Sequence, residues 1–375
     1  MLLKNATVIC DDFIPHRMDL RIERNRIAEL APQISGNGVD LTGLWILPGL
    51  VDIHVHGIAG ADFCGAAPSA LETMSCALAK HGVTAFCPAS MTLPLDALED
   101  AFAVCGEYRG KEGGAQILGV RMEGPFLSAK KKGAQDEAFL RLPSYSEFSR
   151  LNALCPVCVV DCAPELEGAF AFARQAEKVC TVSIAHTAAD YDTAKSALAS
   201  GFSHATHMYN AMESISARVP GVPTAFFESG TATAEMICDG FHVHPALIRQ
   251  AQRMLGKNRF VAISDAMQAA DMPDGTYDLG GQPATVSGGK AQFADGTIAG
   301  GTGNMFSNLQ VLRDIGILLE EAVRACTINP ARVVGADAEI GSIALGKRAD
   351  LLITDEKLRR VYDVYLRGNK FCMGG

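Results

Sequence analysis

The sequence predicts an α/β fold: a (β/α)8 TIM barrel with a small β-sandwich domain formed by the two chain ends. Three observations point there. Eight short apolar runs rich in Val, Ile, Thr or Ala recur along the middle of the chain, as strands buried on both faces do. Amphipathic stretches separate most of them, so neighbouring strands are parallel. Residues 1–44 and 336–375 carry short β-like runs with turns between them, and neither end can close a core alone.

The strands are expected at 45–57 (WILPGLVDIHVHG), 82–90, 115–124, 158–165, 181–187, 202–210, 233–240 and 259–266. Helices are expected at 69–80, 95–108, 166–178, 190–199 and 245–255, the first followed by Gly82 as a stop. An open doubly wound sheet often carries G-x-G-x-x-G after its first strand; here that strand ends in His-x-His. Residues 45–335 are therefore assigned to the barrel, inserted between the two halves of the terminal domain, and 276–299 to hairpins beside its last loops.

The chain of 375 residues is 48% hydrophobic and 20% charged, enough for a large core and too apolar for a disordered chain. Its formal charge of −9, without a basic stripe, argues against a nucleic-acid partner. No apolar run reaches the ~20 residues of a membrane span, and the start MLLKNATVICDDF lacks the apolar core of a signal peptide. The twelve cysteines lie mostly in apolar runs and read as reduced thiols, consistent with a cytoplasmic protein. Cys155 and Cys158, with Cys162 nearby, lack the second pair that a zinc ribbon needs, so they read as core thiols.

Of nine histidines, only His16 and His81 lie away from strand ends. The rest cluster near the C-terminal ends of strands one, five, six and seven, which in a barrel meet at the catalytic face. His54 and His56 are two apart, so an extended strand points both to one face, where they could ligate one ion or serve as ordinary polar residues. Glu123, after the third strand, suits a metal ligand, a base or half of an ion pair. His186 and His207 end strands five and six. His204, three residues before His207, falls on the opposite face and is taken as structural. Asp265 ends strand eight; beside a metal it can take the proton of an activated water and pass it to a leaving amine. One carboxylate and several imidazoles suit zinc foremost, with iron, manganese or cobalt close behind, and with Glu123 as a bridge there are donors for one or two divalent ions.

DIHVHG, MEGPFLS with KKKGA after it, CAPE, IAHT, THMYNAM, DGFHVH, ISDAM and GTIAG follow one another from residue 45 to the C-terminal strands. Together they resemble the N-acetylglucosamine-6-phosphate deacetylases of the amidohydrolase superfamily. The resemblance implies that Glu123, His186 and His207 are the common metal ligands, that His54 and His56 complete a second site, and that Asp265 is the catalytic acid/base, itself at the metal. It also implies that Ala134, Gln135, Asn210, Ala211, Arg218, His242, Ile298, Ala299 and Gly300 contact the substrate. The implied reaction is hydrolysis of a linear amide, releasing acetate from N-acetylglucosamine 6-phosphate, by a homodimer whose phosphate site is shared between subunits. Arg218 also has a physical case, since its planar fork suits phosphate, although a solvated loop arginine would look the same. Lys130–Lys132 read as a solvated loop.

Two departures stand out. Gln135 occupies a position where the family usually has a substrate-contacting histidine, and an amide cannot become cationic. ESIS after THMYNAM, and GGTGN after GTIA, could reshape the sugar pocket. These leave another N-acyl amino sugar such as N-acetylgalactosamine 6-phosphate open as the substrate; a catalytically silent barrel serving as a binding scaffold is the alternative from a different class, since fold alone does not establish function.

Overall fold

In the computed structural model, which describes residues 1–372, the eight apolar runs become eight parallel strands. They are β1 (Leu50–Val55), β2 (Val83–Pro88), β3 (Val120–Met122), β4 (Val157–Cys162), β5 (Thr181–Ile184), β6 (Phe202–Ala205), β7 (Thr233–Ile237) and β8 (Phe260–Ile263). β1 pairs with β2, and β3 to β8 pair in chain order. Bridges at Ala89–Arg121 and Val55–Ala266 link β2 towards β3 and β8 back towards β1, so the parallel sheet curls until its edges meet. Every residue of β1, β2, β3 and β8 is buried, as strands covered on both faces require.

Helices separate the strands. Pro245–Leu255 shows why one forms: His244 caps Ala246 N, Pro245 opens the first turn, and Ile248, Ala251 and Leu255 turn one apolar stripe inward. Gly256, at φ 70°, ends it. The helix Tyr145–Leu154 was not anticipated from the sequence, although Ser144-x-x-Glu147 is a start signal; Ser144 Oγ accepts from Glu147 N. Phe148 and Leu151 bury its inner face, worth roughly 1.5–3 kcal/mol per side chain.

Two expected strands are split. In 45–57, Leu44–Pro48 leaves the parallel sheet and pairs with Leu2–Ile9 and Leu351–Asp355. The break is at Gly49, where a Cβ would lie 2.2 Å from Thr84 Oγ1. In 115–124, Gln116–Ile117 pairs with β2 and Val120–Met122 with β4. Between them a Cβ on Gly119 would lie 2.5 Å from the Pro156 carbonyl oxygen.

The chain ends build one eight-stranded sheet in place of the expected two-sheet sandwich. Leu44–Pro48 causes this, because it sits between N-terminal and C-terminal strands and hydrogen-bonds to both. The sheet curls until Ile27 N reaches Lys347 O, around Leu3, Val8, Leu20, Ile46, Leu351, Ile353 and Tyr365. Residues 373–375, grouped with these strands in the sequence reading, lie outside the described residues. The hairpins span Gly275–Leu279, Gln282–Ser287 and Lys290–Gln292 and pack Leu279, Ala284 and Val286 on Met91 and Met267. The twelve cysteines are unpaired, and no helix among the described residues is long and apolar enough to cross a membrane.

Candidate active site and metal centre

The strand ends deliver the site. β5, β6 and β8 stop at Ile184, Ala205 and Ile263, and two residues beyond each come His186, His207 and Asp265. All three have left-handed backbones, with φ of 42°, 28° and 49°. Such conformations cost a non-glycine residue about 1–3 kcal/mol each and persist only where surrounding structure enforces them. His54 lies within β1, His56 just beyond it, and Glu123 follows β3 directly.

These side chains converge on Glu123. His54 Nε2 and His56 Nε2 lie 3.3 Å apart, and 3.5 and 3.2 Å from the Glu123 carboxylate. On its other side His186 Nε2 and His207 Nε2 are 3.2 Å apart, and 3.2 and 3.1 Å from Glu123 Oε1. Glu123 thus belongs to two three-donor groups at once. Donors ~2.0–2.2 Å from one tetrahedral ion stand about 3.3–3.6 Å from each other, so these edges fit a divalent cation in each group. Asp265 Oδ1, 3.2 Å from His54 Nε2 and 3.3 Å from His56 Nε2, adds a fourth donor to the first group. The donor set therefore fits the ion that the sequence implied.

The outer ring nitrogens fix the tautomers, since an ionised carboxylate or a carbonyl can only accept. His54 Nδ1–H donates to Glu235 Oε1 at 3.0 Å, His56 Nδ1–H to Ala89 O at 3.1 Å, and His186 Nδ1–H to Lys131 O at 3.0 Å. Each leaves Nε2 facing the centre. Burial alone would raise the Glu123 carboxyl, but His54, His186 and His207 outweigh it and hold it well below the usual carboxylate range. Burial opposes charge on His54, as does Arg121, yet Asp265 and Glu123 raise it to about 10; His56, against the same burial, is raised to about 9 by the same two acids. Asp265 is lowered by His54 and His56 in spite of its burial. Two carboxylates thus wait for positive charge, which protons or a divalent ion can supply.

Above the cluster opens a cavity of about 300 Å³. It is lined by His56, Glu123, His186, His207 and Asp265, and by Ala134, Gln135, Asn210, Ala211, His242, Ile298 and Ala299 among the residues expected to touch substrate. Two expected residues do not line it. Arg218 is exposed in the loop before the helix Gly221–Glu228, and Gly300 packs beneath, against the Asp265 carbonyl. Gln135 lines the cavity, but its amide is engaged: Thr92 N donates to Oε1 at 2.7 Å, and Nε2 donates to Glu123 Oε2 at 3.0 Å. His242 Nδ1 is held 2.7 Å from Asp239 Oδ2; burial works against its charged form and Asp239 more than compensates. His204 stands outside both donor groups, on Glu235 and Thr233.

Beneath the cluster lies a charged layer not anticipated from the sequence. Arg121, wholly buried, donates to Asp161 through Nε and Nη2 at 3.1 and 2.9 Å and to Glu235 Oε2 at 2.7 Å. The available signal was three charged residues inside otherwise apolar strands, which must pair with each other when both faces are covered. Met91, Tyr209 and Thr297, also missed, line the cavity.

Known proteins share this architecture. The N-acetylgalactosamine-6-phosphate deacetylase of Escherichia coli O157:H7 is 33% identical over 93% of each chain. The N-acetylglucosamine-6-phosphate deacetylase of Lysinibacillus sphaericus is 32% identical over 96% of this chain and 94% of its own. A mutant of the Mycobacterium smegmatis N-acetyl-D-glucosamine-6-phosphate deacetylase, solved in complex with N-acetyl-D-glucosamine-6-phosphate, superposes with a TM-score of 0.93 at 31% identity over 99% of both chains. The sequence model of the amidohydrolase family matches residues 45–370, and with the two-sided Glu123 cluster this places the chain in the amidohydrolase family.

Proposed function

We propose that this chain is a metal-dependent deacetylase that hydrolyses the acetamide of N-acetylglucosamine 6-phosphate to glucosamine 6-phosphate and acetate. The observation that carries the proposal is Glu123 shared between two histidine pairs, with Asp265 beside it, at the floor of a sugar-sized cavity. The deacetylase relatives, which cover nearly the whole chain, support the substrate. The curled sheet, linked at both edges, is read as a closed (β/α)8 barrel with its active site at the C-terminal strand ends.

His54, His56, Glu123, His186, His207 and Asp265 would hold one or two divalent ions, zinc by the preference of an imidazole–carboxylate set. A bound ion supplies an acidified water and polarises the amide carbonyl. The chain's own residues do the rest. Asp265 Oδ takes the proton of the attacking water and returns it to the departing sugar nitrogen. Gln135 holds Glu123 from the cavity side, and Asn210, Ala211, Ile298 and Ala299 shape the sugar pocket. His242, pushed towards its charged form by Asp239 against its burial, suits the substrate phosphate. Arg218, exposed and outside its own cavity, fits a homodimer in which it completes the phosphate site of a second copy. Twelve free cysteines fit a reducing cytoplasm.

Acetate release from N-acetylglucosamine 6-phosphate, N-acetylgalactosamine 6-phosphate and free N-acetylglucosamine tests this. The expected order of kcat/KM puts N-acetylglucosamine 6-phosphate first and the unphosphorylated sugar last. The Escherichia coli relative makes the galacto epimer the competing reading, which the first two assays decide. No acetate from either phosphate by metal-loaded protein would remove the proposal.

A further inference from the structure

We propose that Glu235 is a positioning residue that makes the His54–His56 half of the centre the tighter of its two metal sites. This rests on the metal reading above. Glu235 lies in β7, wholly buried, and each carboxylate oxygen has two partners. Oε1 accepts from His54 Nδ1 at 3.0 Å and from the His207 backbone N–H at 3.3 Å. Oε2 accepts from Arg121 Nη1 at 2.7 Å and faces His204 Nε2 at 3.0 Å. Arg121 is itself pinned by its two bonds to Asp161 and a third to Thr206 Oγ1 at 2.7 Å. The carboxylate is fixed in place, and so is the imidazole that leans on it.

No other imidazole of the centre has such support. His56 and His186 donate to neutral carbonyls, those of Ala89 and Lys131. His207 Nδ1 is buried without a partner among the described residues. A carboxylate on the outer ring nitrogen makes the inner nitrogen a stronger donor than a carbonyl does, and removing such a partner typically costs 10–100-fold in metal affinity. The same half also gains Asp265 as a fourth donor, whereas the His186–His207 half has three. Both differences favour the His54–His56 side.

The test is Zn²⁺ titration of the chelator-stripped full chain against a chromophoric competitor. Wild type is expected to take up two equivalents of unequal affinity. His207→Asn should remove the weaker and His54→Asn the tighter. In the His207→Asn background, Glu235→Gln should weaken the remaining site by about 10–100-fold. Glu235→Asp keeps the charge that Arg121 needs but draws the carboxylate back from His54, so it should fold and lose part of that affinity. Near-UV circular dichroism of the stripped proteins checks folding. Unchanged Zn²⁺ affinity in folded Glu235→Gln and Glu235→Asp, or loss of the tighter equivalent with His207→Asn, would overturn the proposal while leaving the metal reading intact. No Zn²⁺ uptake by wild type would overturn both.

Discussion

Exchanging Asp265 for Asn keeps the shape of the side chain and removes its capacity to carry a proton. The backbone at 265 has φ 49°, a region that Asn tolerates nearly as well as Asp, so the strand end should hold. Oδ1 stands 3.2 and 3.3 Å from the two imidazole nitrogens of the HVH pair; the Asn amide can place its oxygen there and turn its nitrogen aside. His54, His56 and Glu123 remain within 3.5 Å of one another, and the His186–His207 group is untouched, so metal content should stay near the wild-type value. What is lost is proton transfer to and from the reacting atoms. General acid–base catalysis contributes typically 10²–10⁴-fold, so kcat should fall by that factor, about 3–5 kcal/mol in the barrier. A coupled acetate assay at saturating substrate, with metal analysis of the same sample, measures both. Turnover within tenfold of wild type in a metal-replete Asp265→Asn enzyme would rule out Asp265 as the proton carrier.

Zn²⁺ binding to stripped protein at pH 7 should release protons, because the His54 and His56 imidazoles are raised to about 10 and 9 and must give up Nε2–H to ligate. Calorimetry in buffers of different ionisation enthalpy reads the release, and a buffer-independent heat would contradict it. The same shifts set the stability of the metal-free protein. The two imidazoles gain protons more readily when folded than at their usual 6.5, so their contribution is complete below pH ~6.5 and drains away as pH rises through 9 to 10. Thermal melts of stripped protein should fall over that window; a flat profile would count against the charged cluster. Gln135→Leu strands the buried Thr92 N–H and frees Glu123 Oε2, at a cost of about 1–3 kcal/mol, readable as a lower Tm. An unchanged Tm would mean that neither bond is made in solution.

The clustering of these side chains was legible in the sequence because their signals are local, while their assignment as ligands came from the family resemblance. His54 and His56 share a face by strand periodicity, and Glu123, His186, His207 and Asp265 each follow an apolar run at its C-terminal end. Position along one strand was enough to place them at one mouth. The Arg121–Asp161–Glu235 layer was not legible in that way. Its bonds span 40 and 114 residues, and which charged residue meets which depends on the register of three strands in a curled sheet. Gly49 and Gly119 were hidden for a related reason: the atoms that forbid a side chain there belong to Thr84 and Pro156. The bonds of the Gln135 amide to Thr92 and Glu123 were hidden as well, because only the folded loop makes those contacts.

If the cluster around Glu123 is a divalent-metal centre that deacetylates an amino-sugar phosphate, activity must follow metal loading. The most direct measurement is acetate release from N-acetylglucosamine 6-phosphate by chelator-stripped enzyme as Zn²⁺ is returned in measured equivalents. Release should be negligible without metal and should rise until it levels off by about two equivalents per chain, the number of donor groups that share Glu123. Full activity in the stripped protein, or none at any level of added metal, would contradict that dependence.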